Sequence, residues 1–514
     1  MKLIRFVLDK IDSFLNGITM YRLVMWHLVC LVVIAALLNF FGFLGYGASW
    51  SLWLIVGTFF LLAVGEVVNF LFAKVFHVPA NAESFYITAL ILALTFDPGN
   101  PSTVALPFAI MIVVAMASKF LVAINKKHFF NPVAFAMVAM SYAGMSASWW
   151  VGGSVWLLPF TIFGGFLIIR KIHRFDLVFA FIGALILSHV GNIILSGGSI
   201  MSSLGNLFVH APVFFFASVM LTEPLTTPPL RKMRIAYGVV TGFLFAPWVH
   251  VGGFYFTPEL ALIAGNIISY ILSPKKRLLL TLQRVNDIGT GTKEFIFSPD
   301  ERIDFQPGQF IEWTLNTKRS DSRGNRRYFT IASSPTEKDF RLGVKFYPNP
   351  SAFKESLNTL LIGDSIVASQ LAGDFVLPKN ETEKMVWIAG GIGVTPFRSM
   401  AQYIIDTHKK HDVVMLYANK TVAEISYRDV FDRASTNAGL KVTYAINVEK
   451  GENAGPIEYR MIDALMIKEK APDYLERTFY ISGPHMMVAA FKNTLISMGV
   501  PSSRIYSDYF PGFA

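Results

Sequence analysis

Residues 385–400 read MVWIAGGIGVTPFRSM. A short apolar run stops at a turn built on Gly390, Gly391 and Gly393, and Thr395-Pro396 opens a helical segment. Strand, glycine turn and helix start, in that order, let backbone N–H groups close on a phosphate at the positive end of a helix. One such turn proves little alone, and its surroundings give it weight. VVMLYANKT (413–421) and TFYISGPHMMV (478–488) follow as further strand-like runs, and FIEWTL (310–315) and FRLGVKFY (340–347) precede it. From Leu278 onward the chain is a succession of short strands, as in a soluble unit.

Upstream of Leu278 the character changes. The 514-residue chain is 53% hydrophobic and only 16% charged, too apolar for a soluble protein of this length. Residues 1–277 carry 17 Lys/Arg and 8 Asp/Glu, which leaves 28 and 27 for the remainder. Nearly all of the +10 net charge therefore belongs to the apolar half, and nucleic acid is not the partner it implies. The single cysteine, Cys30, excludes disulfide frameworks and cysteine-ligated iron–sulfur clusters within this chain. No metal site is expected.

Apolar segments fall at 23–42, 51–76, 84–96, 103–124, 131–143, 154–169, 176–195, 207–221, 235–250 and 257–273. Basic residues cluster before the first, after the second, and then in every other connection: Lys126-Lys127, Arg170-Lys171 with Arg174, Arg231-Lys232 with Arg234, and Lys275 to Arg277. The alternate connections hold none. By the positive-inside rule this predicts about ten spans over residues 23–277. Both termini and the second half then lie on the cytoplasmic side of a cell membrane. Residues 1–22 read as an interfacial helix.

The apolar half also repeats itself. LTFDPGNPST (94–103) is echoed by LTEPLTTPP (221–229), FFNPVAFAMV (129–138) by YFTPELALIA (255–264), and GEVVN (65–69) by SHVGN (188–192). The offsets are nearly constant, so two five-span repeats are predicted. Because five is odd, the second is inverted in the membrane. Short apolar segments broken by Pro and Gly at matching places point to a site at the repeat interface. Its candidates are Glu66, Thr95, Asp97, Asn131, Thr222, Glu223, Thr226 and Asn266.

Glu66, Asn131-Pro132, Thr222-Glu223-Pro224, Thr226, Tyr237-Gly238 and Asn266, in that order and spacing, resemble the membrane subunit shared by two kinds of complex. These are the sodium-pumping NADH:quinone oxidoreductase and the Rnf-type electron transport complexes. The resemblance covers about residues 20–275 and implies a ten-helix inverted repeat binding flavin near the membrane faces. Family members carry a covalent flavin phosphate on an S/T-G-A-T threonine before the sixth span. Here that region is YAGMSASWWVGGSVW (142–156) and lacks the motif, and SGGS (196–199) falls after span seven. This departure speaks against covalent FMN and leaves noncovalent FMN or riboflavin open.

In the second half, RRYFTIASSP (326–335) resembles the R-x-[YF]-[ST] signature of ferredoxin–NAD(P)H reductases. That resemblance spans about 279–514. It implies an antiparallel β-barrel for FAD (278–380) followed by an α/β nucleotide domain (381–514). Arg327 would clamp a pyrophosphate bidentately, Phe329, flanked by Tyr328, would stack on the isoalloxazine, and Thr330 would hydrogen-bond its N5. Lys345 joins this cofactor set. Gly483-Pro484 matches the C-G-P turn beside the nicotinamide, with Ser482 in place of the cysteine. Near the end, in YSDYFPGFA (506–514), Phe510 is the preferred aromatic to cover the flavin, ahead of Tyr509 and Phe513. A 2′-phosphate wants Arg or Lys after the second nucleotide strand. After VTYAIN (442–447) stand Glu449 and Glu452 against a single Lys450, which favours NADH over NADPH.

Together these readings predict a membrane-bound flavin oxidoreductase. It takes hydride from NAD(P)H onto FAD and passes electrons to a quinone, an outer flavoprotein or another redox subunit. Redox-driven ion translocation within a larger complex is the alternative that the membrane-edge carboxylates Glu66, Asp97 and Glu223 raise. A haem-containing ferric reductase would need paired histidines on facing spans, and His27, His189, His210 and His250 form no matched pair.

Overall fold

Long apolar runs interrupted by proline and glycine make the first half helical, and alternating short runs make the second half a pair of sheets. The computed structural model describes residues 2–76, 82–124, 127–273, 277–315 and 325–510. It divides into two units, Met1–Lys276 and Arg277–Ala514.

The first unit starts with α1 (Lys2–Asn16) and continues through α2 (Met20–Phe40), α3 (Trp50–Val75), α4 (Ala82–Thr95), α5 (Pro101–Leu121) and α6 (Pro132–Tyr142). Then come α7 (Leu158–Ile172), α8 (Phe175–Ser196), α9 (Ile200–His210), α10 (Val213–Phe215) running into a π turn (Phe216–Met220), α11 (Arg231–Leu244) and α12 (Pro258–Leu272). A helix thus overlaps each predicted apolar segment. Four, α2, α3, α5 and α8, are long and apolar enough to cross a bilayer, or five if α9 and the π-continued α10, bent by 59°, count as one span. Length alone does not carry ten. Asp97-Pro98-Gly99 ends α4, and Asn131-Pro132 and Thr257-Pro258 start α6 and α12 late, so these helices are short.

Helix pairing runs twice through the unit. In the first half α2 packs on α4, α3 on α4 and α5, and α5 on α6. In the second half α7 packs on α10 and the π turn, α8 on the π turn and α11, and α11 on α12. The two halves meet through α2 with α7 and α6 with α12, each helix against its counterpart. Close approach depends on glycine. A Cβ on Gly242 of α11 would lie 2.2 Å from the Phe181 carbonyl oxygen of α8.

In the second unit β1 (Arg277–Gly289), β2 (Thr292–Pro299), β3 (Phe310–Thr314), β4 (Arg326–Thr330), β5 (Phe340–Lys345) and β6 (Ser365–Ala372) form one antiparallel sheet, with α13 (Ala352–Asn358) between β5 and β6. Its order is β4-β3-β6-β1-β2-β5. The sheet curls until its two edges approach, where Ala332 N donates to Arg341 O at 2.9 Å. Leu280, Leu282, Phe297, Trp313 and Leu342 fill the interior.

Beyond it lie β7 (Met385–Gly390), α14 (Thr395–Thr407), β8 (Val413–Asn419), α15 (Arg428–Ala438), β9 (Lys441–Ile446) and β10 (Ile457–Glu458). They are followed by α16 (Ala464–Lys470), β11 (Thr478–Pro484), α17 (His485–Ser497) and β12 (Ile505–Phe510). The strands are parallel in the order β10-β9-β8-β7-β11-β12. All six residues of β7 are buried, as a strand covered on both faces requires. Its neighbours β8 and β11 lie on opposite sides, so the strand order reverses at β7. A crevice at the carboxyl end of such a switch strand is where ligands bind in open α/β sheets.

Candidate functional site

The glycine turn predicted from the sequence sits at that crevice. Gly390 closes β7, and Gly391 takes φ +51 at a place where a Cβ would meet nothing within 4 Å. The turn therefore opens onto free space. At Gly393 a Cβ would come within 2.5 Å of Gly483 Cα, so only glycine lets the two turns touch. That contact holds Ser482, Gly483 and Pro484, at the end of β11, against the turn. Thr395 and Pro396 begin α14 directly after the glycine turn, so the N-terminus of the helix follows the carboxyl end of β7. Ser482 is fully buried, and its Oγ has no hydrogen-bond partner among the described residues. A buried hydroxyl with no partner is costly, and a bound carboxamide would relieve it.

On β4, alternation sets Arg327 and Phe329 on one face. The Arg327 guanidinium lies 5.4 Å from the Phe353 ring centroid, at the first turn of α13, and the Phe329 ring lies 5.8 Å from the same ring. A phosphate at one and a ring system at the other can thus belong to one molecule. Thr330 is buried, and its Oγ1 lacks a partner among the described residues. Tyr328 departs from the expected set. It faces the other way, exposed, with its ring edge-on to Phe310 at 5.6 Å. Lys345 departs too, since its Nζ is held by Glu424 at 2.8 Å. Phe510 pairs through its backbone with Pro484. Its side chain, that of Tyr509 and all of Phe513 lie outside the described residues.

The end of the flavin-signature strand is fastened to α14. Arg398 donates to Ala332 O at 3.1 Å, and Ser399 Oγ donates to Ser333 O at 2.7 Å. Arg398 also makes a two-pronged ion pair with Glu337, which Arg341 joins at 2.9 Å. Burial pushes the Glu337 carboxyl up, but the hydrogen bond and charge of Arg398 outweigh it and hold the group below the ordinary carboxylate range. Sequence reading passed over this clamp because Glu337 and Arg398 look like surface charges in their own segments. VEKGENAG proves to follow the third strand along the chain, β9, and not the second, β8. Glu449 there accepts from Val422 N at 2.8 Å.

In the first unit four of the eight predicted polar residues converge. Glu223 Oε2 accepts from Asn131 Nδ2 at 2.8 Å and from Thr226 Oγ1 at 3.2 Å. Asn266 accepts from Asn131 N at 2.8 Å and donates to Tyr237 Oη at 3.1 Å. Asn131 Oδ1 meanwhile caps α6 by accepting from Val133 N and Ala134 N, both at 3.0 Å. Thr95 and Thr222 stand apart from this cluster. Each ties its hydroxyl back one turn, to Ile91 O at 2.8 Å and Ser218 O at 2.6 Å, and so finishes a broken helix. Asp97 accepts from Trp50 Nε1 at 3.2 Å. Glu66 is exposed on α3, because the buried stripe of that helix runs through Leu61, Gly65 and Asn69 and leaves position 66 turned away.

A second cluster escaped the sequence reading. Ser148 N and Trp149 N cap the end of α4 by donating to Thr95 O at 2.9 and 3.0 Å, and Trp149 Nε1 donates to buried Glu259 at 3.1 Å. The Trp149-Trp150 doublet was its one visible signal. The span histidines are engaged separately: His27 against Gly164 and His189 Nε2 with Ser203 Oγ at 3.0 Å. Among the described residues no group of three or more His, Cys, Asp or Glu could hold a metal ion.

Residues 387–493 match the family model of the oxidoreductase NAD-binding domain. The chain is 28% identical over 241 residues to a glycine betaine monooxygenase reductase subunit of Chromohalobacter salexigens, which covers 46% of this chain and 63% of the relative. It is 27% identical over 229 residues to a flavohemoprotein of Oceanobacillus iheyensis, covering 42% and 54%. Just under two thirds of the first relative's length is thus matched. Among solved structures, the FAD/NAD-binding domain of a nitric oxide dioxygenase from Vibrio cholerae is 20% identical, covering 45% of this chain and 98% of that one, with a TM-score of 0.40.

Proposed function

We propose that this chain is an NAD(P)H-dependent FAD oxidoreductase, with NADH the favoured donor, whose second unit is tethered to a membrane by the first. The observation that carries the reading is the meeting of the Gly393 and Gly483 turns at the switch strand beside the buried, unpartnered Ser482 hydroxyl. FAD, when bound, supplies a group that accepts two electrons and releases them one at a time. The chain's own residues do the rest. Arg327 binds phosphate oxygens at the start of α13, Phe329 offers a ring face, and Thr330 Oγ1 donates to a nitrogen at the edge of the bound ring system. The glycine turn and α14 orient the dinucleotide. The bonds from Arg398 and Ser399 to the end of the flavin strand keep the two binding surfaces in fixed register and limit water between them.

The same reading makes the first unit a ten-helix membrane domain of two inverted repeats, supported by the repeated helix pairing and by the basic residues in alternate connections. The second unit then lies on the cytoplasmic side of a cell membrane. The acceptor is a quinone, an outer flavoprotein or another redox subunit. The polar cluster of Asn131, Glu223, Thr226 and Asn266 is its candidate contact, or that of a noncovalent FMN or riboflavin. The test is acid release of flavin from the detergent-purified chain, with anaerobic titration by NADH. Stoichiometric FAD whose visible absorbance bleaches on titration is the expected result. A purified chain that carries no FAD after reconstitution and consumes no NADH would end the proposal.

A further inference from the structure

The stretch LLIGD (360–364) joins α13 to β6. Leu357 and the partly buried Leu360 turn inward onto the barrel interior. Leu361 and Ile362 turn outward, 72% and 74% exposed. Their exposure is built into the turn. Leu361 N donates to Asp364 Oδ2 at 2.8 Å, and Asp364 N donates back to Leu361 O at 3.0 Å. Gly363, at φ +95, donates to Leu282 O at 2.9 Å, and Leu282 N donates to Asp364 O at 2.8 Å. A tight turn pinned to β1 thus presents two adjacent aliphatic side chains. Single exposed apolar residues are ordinary, but a fixed pair at a tip is a surface offered to something apolar.

The tether to the first unit indicates what lies near. α12 ends at Leu272 and β1 begins at Arg277, so five residue steps separate them, about 17 Å when fully extended. The segment between reads SPKKR (273–277), and a basic run of this kind is attracted to an anionic membrane surface. From Arg277 to Leu282, where the turn is pinned, β1 covers another five steps, about 17 Å. Between them stands Leu279, 43% exposed on the outward side of β1. Exposed apolar side chains therefore mark both the tether end of this strand and the tip beside it. Two carboxylates along this path are turned onto the backbone, Asp364 onto Leu361 N at 2.8 Å and Asp300 onto Leu279 N at 2.9 Å. Exposed Arg284 lies two residues beyond Leu282. An apolar pair with basic residues on its flank suits the headgroup–acyl boundary of a bilayer.

We propose that the Leu361–Ile362 tip is a membrane-docking wedge that enters the headgroup–acyl boundary of the bilayer. The inference rests on the membrane role proposed above. The experiment uses the full-length chain in nanodiscs of phosphatidylcholine and phosphatidylglycerol. Cys30 is the single cysteine, so Cys30→Ser with Ile362→Cys leaves one site for an environment-sensitive NBD label. Its emission is read with and without lipids that carry a doxyl spin label near the top of the acyl chain, and again with Leu361→Asp added. NADH-dependent ferricyanide reduction and extraction by alkaline carbonate are read on the same proteins.

The expected result is a blue-shifted emission that the spin label quenches about twofold, as for a side chain about 5–10 Å into the boundary region. Leu361→Asp should abolish both the shift and the quenching. Ferricyanide reduction should stay within about twofold of wild type, because the tip follows the last turn of α13 whereas Arg327 lies at its first. Water-like, unquenched emission from a chain that resists carbonate would overturn the wedge and leave the membrane role standing. A shifted emission that spin-labelled lipid fails to quench would overturn it as well, since a protein surface then covers the tip. A chain that carbonate extracts would end the membrane role itself, and the wedge with it.

Discussion

Thr330 shows what one residue can be asked to do. Its hydroxyl is buried without a partner among the described residues, so Thr330→Val should leave flavin-free stability unchanged while slowing flavin reduction by NADH about tenfold, the worth of one hydrogen bond. Stopped-flow absorbance of the flavin checks the rate, and a rate equal to wild type would remove Thr330 from the site. Gly393→Ala is a harsher change. Its Cβ would press on Gly483 Cα at 2.5 Å, so the two turns must part, at a cost of about 1–3 kcal/mol. Dinucleotide affinity should fall with the melting temperature. In the first unit Asn131 both caps α6 and donates to Glu223. Asn131→Ala should cost about 1–3 kcal/mol in detergent melts, more than a lost cap alone. These roles differ in how legible they are. The glycines declare themselves by type and spacing. The cap that Asn131 makes on α6 is local, but its bonds with Glu223 and Asn266 reach 92 and 135 positions along the chain, which no local pattern reports.

At the scale of elements, the clamp between the β4–β5 connection and α14 joins flavin strand to nucleotide helix. Because Arg398 holds the folded-state pKa of Glu337 below its ordinary value, the pair stabilises the fold above the unfolded carboxylate pKa, about 4.3. That contribution is lost as pH falls through the lowered folded value. Melting curves of wild type and Glu337→Gln should therefore differ most at neutral pH and converge in acid. Parallel curves from neutral pH down into acid would mean that the charge of Glu337 contributes no stability. The strands and helices were readable because β7 is a continuous apolar run and β1–β6 alternate. The lengths of α4, α6 and α12 were readable too, since Pro98, Pro132 and Pro258 bound the apolar segments 84–96, 131–143 and 257–273 within two residues of the helix ends.

At the scale of the whole molecule, the second unit has hydrophobic cores of its own, so residues 277–514 should fold alone, bind FAD and reduce ferricyanide with NADH in a soluble fraction. The full chain should sediment with membranes and resist alkaline carbonate. A full chain that stays in the supernatant would remove the membrane role and leave the reductase reading intact. Composition, charge asymmetry and three short motifs were enough to divide the chain near residue 277, to propose a helical and a sheet-built half, and to locate the glycine turn. These are local or additive properties of the polymer, and periodicity and residue type carry them. Convergence is another matter. That Gly393 meets Gly483, that Arg398 reaches Glu337, and that Glu223 gathers Asn131 and Thr226 while Glu66 faces outward all depend on how distant segments pack. Contacts between residues far apart in the chain leave no periodic trace along it, so the folded arrangement alone sorts the candidate polar residues into partners, caps and bystanders.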